Sequence, residues 1–157
     1  MLRKITLLLL VVAVAAGAAQ AQMKTSSDVV KAKPAAATVT GAPGQRVDFE
    51  INLDISKKWH IYAHGDTNFI GVDLVPDEAF PLKELKAEYP HGHEGEFFGE
   101  KVFMIEGKDV IKVSALVPEG MEAGDHQLNM GVTVQACDDK TCLAPVDLPV
   151  AVTLKLK

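Results

Sequence analysis

The sequence has few cysteine and aromatic residues and none of the short motifs that mark common enzyme sites. Two cysteines, one tryptophan and two tyrosines occur among its 157 residues, and aromatic residues make up 6% of the chain. It shows no phosphate-binding loop, nucleophile elbow, zincin motif or paired catalytic carboxylates. Hydrolytic and group-transfer chemistry therefore have no support, and no cofactor is expected.

Long apolar runs are also lacking, except for one near the N-terminus. Two basic residues precede an apolar run over residues 5–16, and a small-x-small pattern ends at Ala21. This run is shorter than the roughly 20 residues that a membrane-spanning helix needs, although a retained anchor is the alternative interpretation. We expect residues 1–21 to be a signal peptide, with cleavage before Gln22. The mature chain would then be periplasmic and soluble, without stable membrane insertion.

Basic residues are the minority among the charged ones. After loss of the signal peptide, 14 basic residues face 21 acidic residues, which gives a net charge of −7. Such a surface repels phosphate backbones and anionic lipid headgroups, so nucleic acid and membrane surfaces are poor candidate partners. The remaining length suits one domain whose core needs no disulfide to fold.

The patterned part of the chain has the period of strands and little that is typical of helices. Residues 22–37 are polar and alanine-rich, and we interpret them as a flexible leader before a domain over residues 38–157. Val47, Phe49, Ile51 and Leu53 alternate with polar residues, as in a strand with one solvated face. The other candidate strands cover residues 59–63, 70–75, 85–89, 101–105, 110–117, 127–136 and 146–156.

Two local predictions refine this pattern. Residues 106–109 are expected to be the turn of a hairpin between the strands on either side. Residues 76–86 give the only hint of a helix. Eight or nine short strands at turn-bounded intervals favour an all-β fold, an immunoglobulin-like antiparallel β-sandwich.

Cys137 and Cys142 form the most informative pair of residues. Four polar residues separate them between strand-like segments, so they are expected to face each other across a hairpin mouth and to form a disulfide. A bridge that closes so short a loop stabilises a fold by only about 2 kcal/mol on the chain-entropy model. Functional exchange, a structural staple and metal binding all remain open from these residues alone.

The chain resembles the N-terminal periplasmic domains of the thiol:disulfide interchange protein DsbD, over roughly residues 38–157. The likeness lies in three blocks: Val134 to Pro145 around the cysteines, Glu96-Phe97-Phe98-Gly99, and Lys58-Trp59-His60-Ile61-Tyr62. It implies an immunoglobulin-like domain that exchanges thiols and disulfides. The chain departs from the family at Gly95, a position where an acidic residue is frequent. Glu96 therefore has no adjacent carboxylate as a partner.

The resemblance also implies roles and partners. Cys142, with its place on the outgoing strand, would contact partners, and Cys137 would resolve the mixed disulfide. Glu96, Phe97 and Phe98 would form a cap, with Tyr62 supporting it, although core packing is the alternative for the two phenylalanines. Electrons would come from a separate membrane-embedded thiol reductant and pass to exported thioredoxin-like or disulfide-containing clients, with cytochrome c biogenesis among the pathways served.

Two alternatives remain beside this carrier. The five histidines could bind a metal with the thiolates, but Cys-x4-Cys lacks zinc-knuckle spacing, so no metal site is expected and the histidines, including His60 and His64, are interpreted as solvated turn residues. The second alternative is a non-catalytic immunoglobulin-like binding module in which the disulfide is structural.

Overall fold

A computed structural model describes residues 23–66 and 68–157. The expected signal peptide lies outside these residues. In the described part of the chain, the helical structure is a single 3-10 turn at Ser26–Asp28, and no helix has the length and hydrophobicity to cross a membrane. The prediction of an all-β fold is confirmed.

Twelve strands account for the regular structure of the described residues. They are β1 (Val30–Pro34), β2 (Thr38–Gly41), β3 (Arg46–Ile55), β4 (His60–Tyr62), β5 (Asp73–Pro76), β6 (Lys83–Glu88), β7 (His93–Phe97), β8 (Glu100–Glu106), β9 (Lys108–Leu116), β10 (Gly124–Val134), β11 (Ala136–Cys137) and β12 (Val146–Leu156).

These strands form three four-stranded sheets. The first has the order β1-β3-β9-β6, the second β2-β12-β10-β5 and the third β11-β4-β8-β7. All pairings are antiparallel except that of β2 with β12, which is parallel. The first and second sheets contribute to one continuous hydrophobic core, so they form the two layers of a sandwich.

The strand β3 shows why the sequence pattern was informative. Its ten residues alternate strictly between exposed and buried, beginning with exposed Arg46 and ending with buried Ile55. The buried set packs into the sandwich core, as the alternation predicted.

The predicted flexible leader is wrong for the part of it that forms β1. Val29 and Val30 are buried, and β1 pairs along its whole length with β3. The alanine-rich composition concealed this strand. β1 is the edge strand of the first sheet, and only one of its residues, Val30, is fully buried, so the hydrophobic alternation is weak. The ordered domain therefore begins before residue 38.

The predicted hairpin between residues 101–105 and 110–117 is also wrong. The corresponding strands β8 and β9 lie in different sheets, and each is paired on both sides with other strands. Gly107, with a φ of 67°, is the single residue between them, and its carbonyl accepts a hydrogen bond from the Ile55 amide at 2.7 Å. The chain therefore crosses between sheets at this glycine, whose positive φ makes the sharp change of direction possible.

The hint of a helix over residues 76–86 is not confirmed. This stretch contains the end of β5, a turn in which the Phe80 amide donates to the Asp77 carbonyl, and the start of β6. Pro81 disfavours the helical conformation at Phe80 and supplies no amide hydrogen, so a helix could not continue through it.

Candidate functional site

Cys137 and Cys142 form a disulfide at β11, an edge strand of the third sheet, as the sequence predicted. Their Cα atoms are 4.0 Å apart, slightly below the usual range, and the two residues form an antiparallel bridge. Just outside them, the Leu143 amide donates to the Ala136 carbonyl at 2.8 Å. The cysteines thus close the mouth of a short hairpin.

The four-residue loop between the cysteines is held by Asp138. Its carboxylate accepts hydrogen bonds from the Lys140 and Thr141 amides, each at 2.9 Å, and its own amide donates to the Thr141 carbonyl. These two amide donors lower the pKa of Asp138 below its usual value, so it is ionised at neutral pH. A negative charge therefore lies beside the disulfide.

The third sheet has two faces with different environments. Ile61, Ala136 and Ile105 project into the sandwich core. The alternate positions project to the opposite face, where Cys137 packs with Tyr62, Phe97 and Val102, and where Phe69, Met104 and Cys142 pack against them. The disulfide belongs to this second, smaller cluster, which we call the cysteine cluster.

The two cysteines differ in exposure. Cys137 is 0% exposed, whereas Cys142 is partly exposed. Because thiol–disulfide exchange requires a partner sulfur to approach along the disulfide axis, a cysteine with no exposed surface cannot be the first to react. Cys142 is the more accessible of the two.

Aromatic rings enclose the buried side of the cluster. Tyr62 is 0% exposed and stacks on Phe69 with ring centroids 4.4 Å apart. Phe97, 5% exposed, meets Phe69 edge to face at 5.3 Å. Burial raises the pKa of Tyr62 to about 12, so its hydroxyl stays protonated at neutral pH. The structure thus brings two predicted residues, Tyr62 and Phe97, to the cysteines.

Phe98 lies at the tip of the β7–β8 hairpin. Phe97 pairs with Glu100, which leaves Phe98 and Gly99 as a two-residue turn with φ values of 50° and 83°. Asn and Gly are the preferred residues for such a turn, and a phenylalanine there costs of order 1 kcal/mol. Phe98 is nevertheless 76% exposed, with its ring 4.4 Å from that of Phe97. Phe98 is thus an exposed aromatic residue at a turn that does not favour phenylalanine, next to the cysteine cluster.

Glu96 does not join the cluster. It is exposed, and the alternation of β7 places it on the face opposite to Phe97. The preceding Gly95 shares the face of Phe97, and a Cβ added there would collide with the end of the Met104 side chain. Met104 therefore occupies the space beside Gly95.

His60 is the residue of the site that sequence reasoning misread. It is 5% exposed rather than solvated, and its Nε2 lies 3.3 Å from the Tyr62 hydroxyl. Burial lowers the pKa of His60, and this outweighs the nearby carboxylates. The signal that could have found it is its spacing from Tyr62, because residues two apart in a strand share a face. By contrast, the side chain of His64 is 48% exposed, in keeping with the prediction for it.

Sequence reasoning also missed a serine that supports the cysteine hairpin. Ser26 is 0% exposed; its hydroxyl donates to the Ala144 carbonyl at 2.8 Å and accepts from the Ala136 amide at 2.9 Å. Its own amide donates to the same Ala144 carbonyl. Ser26 therefore joins the two sides of the hairpin, although no local pattern in the sequence marks it.

Within residues 23–66 and 68–157, no group of three or more His, Cys, Asp or Glu residues is placed so that it could hold a metal ion.

The chain is similar to known proteins in both sequence and structure. The family model for the N-terminal part of the thiol:disulfide interchange protein DsbD matches residues 26–153. The N-terminal periplasmic domain of ScsB from Proteus mirabilis has a TM-score of 0.52 at 9% identity, with 80% of this chain and 44% of that chain covered. A family 123 glycoside hydrolase from Clostridium perfringens has a TM-score of 0.37 at 10% identity, with 79% of this chain and 27% of that chain covered. No curated protein matches the sequence.

The sandwich and its cysteine pair, with this family match, define a domain of the kind found at the N-terminus of thiol:disulfide interchange proteins. The chain belongs to the family of DsbD N-terminal domains. The likeness to ScsB confirms the immunoglobulin-like fold expected from the sequence, and the chain covers less than half the length of that structure.

Proposed function

We propose that this domain carries reducing equivalents from a membrane-embedded thiol reductant to exported client proteins in the periplasm. The carrier is the Cys137–Cys142 pair, and the mature chain begins near Gln22. The observation that carries the proposal is the asymmetry of the pair, with one cysteine fully buried and the other partly exposed beside an aromatic cluster. A disulfide with one approachable sulfur is suited to exchange.

The exchange takes place in two steps. In the first, the Cys142 thiolate attacks a client disulfide, forms a mixed disulfide and releases one client thiolate. In the second, the Cys137 sulfur attacks the sulfur of Cys142, which releases the second client thiolate and restores the Cys137–Cys142 disulfide. The client gains two electrons and the domain loses two, which the membrane reductant then replaces through the reverse reaction.

The β7–β8 hairpin is the cap of this site in our proposal. Phe97 shields the sulfur atoms from the side of the cluster, with Tyr62 supporting it through the stacked Phe69 ring. Phe98 packs on Phe97 and is exposed, so a docking partner can touch Phe98 and displace both residues. Glu96 remains on the solvated face of the same hairpin, where it can contact a partner but not the sulfurs.

The roles of the two cysteines are tested by a matched pair of variants expressed in the native compartment. Cys137→Ala leaves the exposed cysteine without its resolving partner, so mixed disulfides with other proteins should accumulate and disappear on reduction. Cys142→Ala leaves only the buried cysteine and should trap at least about tenfold less, because that sulfur is inaccessible. Equal trapping by the two folded variants, or none by Cys137→Ala, would contradict the assignment.

A further inference from the structure

His60 is a buried titratable residue that the exchange scheme above does not use. It lies in β4, directly opposite Cys137 of β11 on one side and Glu106 of β8 on the other. Residues directly opposite each other in an antiparallel pair project to the same face, with Cβ atoms about 4.5–5.5 Å apart. The imidazole is therefore a cross-strand neighbour of the resolving cysteine, on the face that carries the disulfide.

The ring of His60 is held in place by its neighbours. It meets the Tyr62 ring edge to face at 5.3 Å and the Phe97 ring at 5.6 Å. Its Nε2 is within hydrogen-bond distance of the Tyr62 hydroxyl. In the tautomer with the proton on Nε2, the ring donates to this hydroxyl, and Nδ1 keeps a lone pair that can accept a proton.

Charged groups face His60 from each neighbouring element. Glu106 is opposite it on β8, Asp138 and Asp139 lie in the cysteine loop, and His93 on β7 is 3.6 Å from Glu106. The three carboxylates favour the protonated ring, and His93 opposes it. Burial outweighs the carboxylates and lowers the pKa of His60, so the ring is neutral at neutral pH with carboxylates close enough to stabilise a transient imidazolium.

We propose that His60 is the general base for Cys137, accepting its thiol proton as Cys137 attacks the mixed disulfide at Cys142. The inference rests on the proposed function, because it concerns the second step of that exchange. The Cys137 S–H bond breaks, the proton moves to the imidazole, and the sulfur forms the bond to Cys142 Sγ. The client sulfur leaves as a thiolate, and the imidazolium returns its proton to that thiolate or to water.

The position of Cys137 explains why it needs a base. Cys137 has no exposed surface, so bulk water cannot take the proton of its thiol. The thiolate is the nucleophile in exchange, and a charge formed in an apolar cluster is costly unless a partner of opposite charge is adjacent. Protonated His60 is such a partner. Cys142 is partly exposed and can lose its proton to solvent, so its attack does not need His60.

The test separates the two steps with a small aromatic disulfide. The reduced full chain is mixed with dithiobis(nitrobenzoate), which releases one coloured thiolate when Cys142 attacks and a second when Cys137 resolves the adduct. In His60→Gln we expect the first release to be unchanged. The second should slow by on the order of 10²-fold, the low end of what general acid–base catalysis contributes.

The pH profile distinguishes a base from a packing residue. A ring with a lowered pKa can accept a proton only above that pKa, so resolution in the wild type should fall as the pH decreases through it. His60→Gln should lose this acid-side decrease and retain only the dependence set by the thiol. Imidazole added to His60→Ala should restore resolution by occupying the vacated space, whereas a bulky amine buffer should not.

His64→Gln is the matched control. His64 is half exposed, and its Nδ1 is within hydrogen-bond distance of the Val72 carbonyl, not of a group in the cysteine cluster. It should resolve at the wild-type rate. Resolution within about threefold of wild type in a folded His60→Gln variant, with the same pH profile, would overturn the inference. If even the wild-type dithiol released no coloured thiolate, the proposed exchange function itself would fail. An active wild type with an unaffected variant would reject only the role of His60.

Discussion

Phe97 and Phe98 are adjacent in sequence and have opposite environments. Phe97 is 5% exposed within the cysteine cluster, and Phe98 is 76% exposed at a strained turn. The sequence offered two interpretations for both residues, a cap or ordinary core packing. Phe97 is buried in the cluster that contains the disulfide, and this cluster is separate from the sandwich core. In our proposal, the packing of Phe97 and its shielding of the sulfur atoms are therefore the same contact.

Replacing Phe97 tests that shielding. Phe97→Ala removes ring contacts to His60, Tyr62 and Phe69, each worth about 0.5–1.5 kcal/mol. In the reduced protein, alkylation by a bulky maleimide should therefore accelerate at least about tenfold, since about 1.4 kcal/mol corresponds to that factor.

Phe98→Ala is the control for Phe97→Ala, because it removes one contact from an exposed ring. Its alkylation rate should stay within about threefold of wild type, and it should lose less stability than Phe97→Ala, because only one ring pair is removed, worth about 0.5–1.5 kcal/mol. Thermal unfolding of both variants distinguishes local opening from global loss of structure. An unchanged rate in a folded Phe97→Ala variant would assign Phe97 to packing alone.

At the scale of elements, the cysteine hairpin depends on the N-terminal segment. Ser26 forms hydrogen bonds with both Ala136 and Ala144, which lie on opposite sides of the disulfide. Thr25 forms a parallel β-bridge with Ala144. The segment that the sequence assigned to a leader is thus part of the support for the site. The residues that Ser26 contacts are more than a hundred positions away in the sequence, so no local pattern could reveal these contacts.

Ser26→Ala tests this support. The substitution leaves the buried Ala136 amide without its acceptor, which costs about 1–3 kcal/mol in the free energy of unfolding. Urea unfolding should show that loss, and hydrogen exchange at the Ala136 amide should accelerate. Ser27→Ala, at the neighbouring half-buried position, should change stability by no more than about 0.5 kcal/mol. Equal effects of the two substitutions would show that Ser26 does not hold the hairpin.

For the whole molecule, the disulfide is peripheral to the fold. The sandwich core is continuous across the first two sheets and receives side chains from the third, whereas the cysteines lie in the separate cluster. The bridge closes a sequence separation of 5, so it contributes about 2 kcal/mol or less on the chain-entropy model. The fold can therefore persist through cycles of reduction and oxidation, as an exchange domain requires.

The reduction potential distinguishes exchange from the alternative of a binding module with a structural disulfide. We expect the pair to equilibrate with glutathione or thioredoxin buffers at a potential above about −300 mV, where labile and catalytic disulfides lie. Far-ultraviolet circular dichroism of the reduced form should match that of the oxidised form. A value below about −300 mV would indicate an inert bridge and reject the carrier.

The sequence by itself determined the strand class, the pairing of the cysteines and the family likeness. These depend on local period, on there being only two cysteines, and on short motifs, all of which can be read along the chain. Tertiary structure alone decided that β8 and β9 occupy different sheets, that β1 joins the domain and that His60 is buried beside Cys137. The physical reason is that the face of a strand is set by its distant partners. Only the pairing of β4 with β11 places an imidazole beside the sulfur.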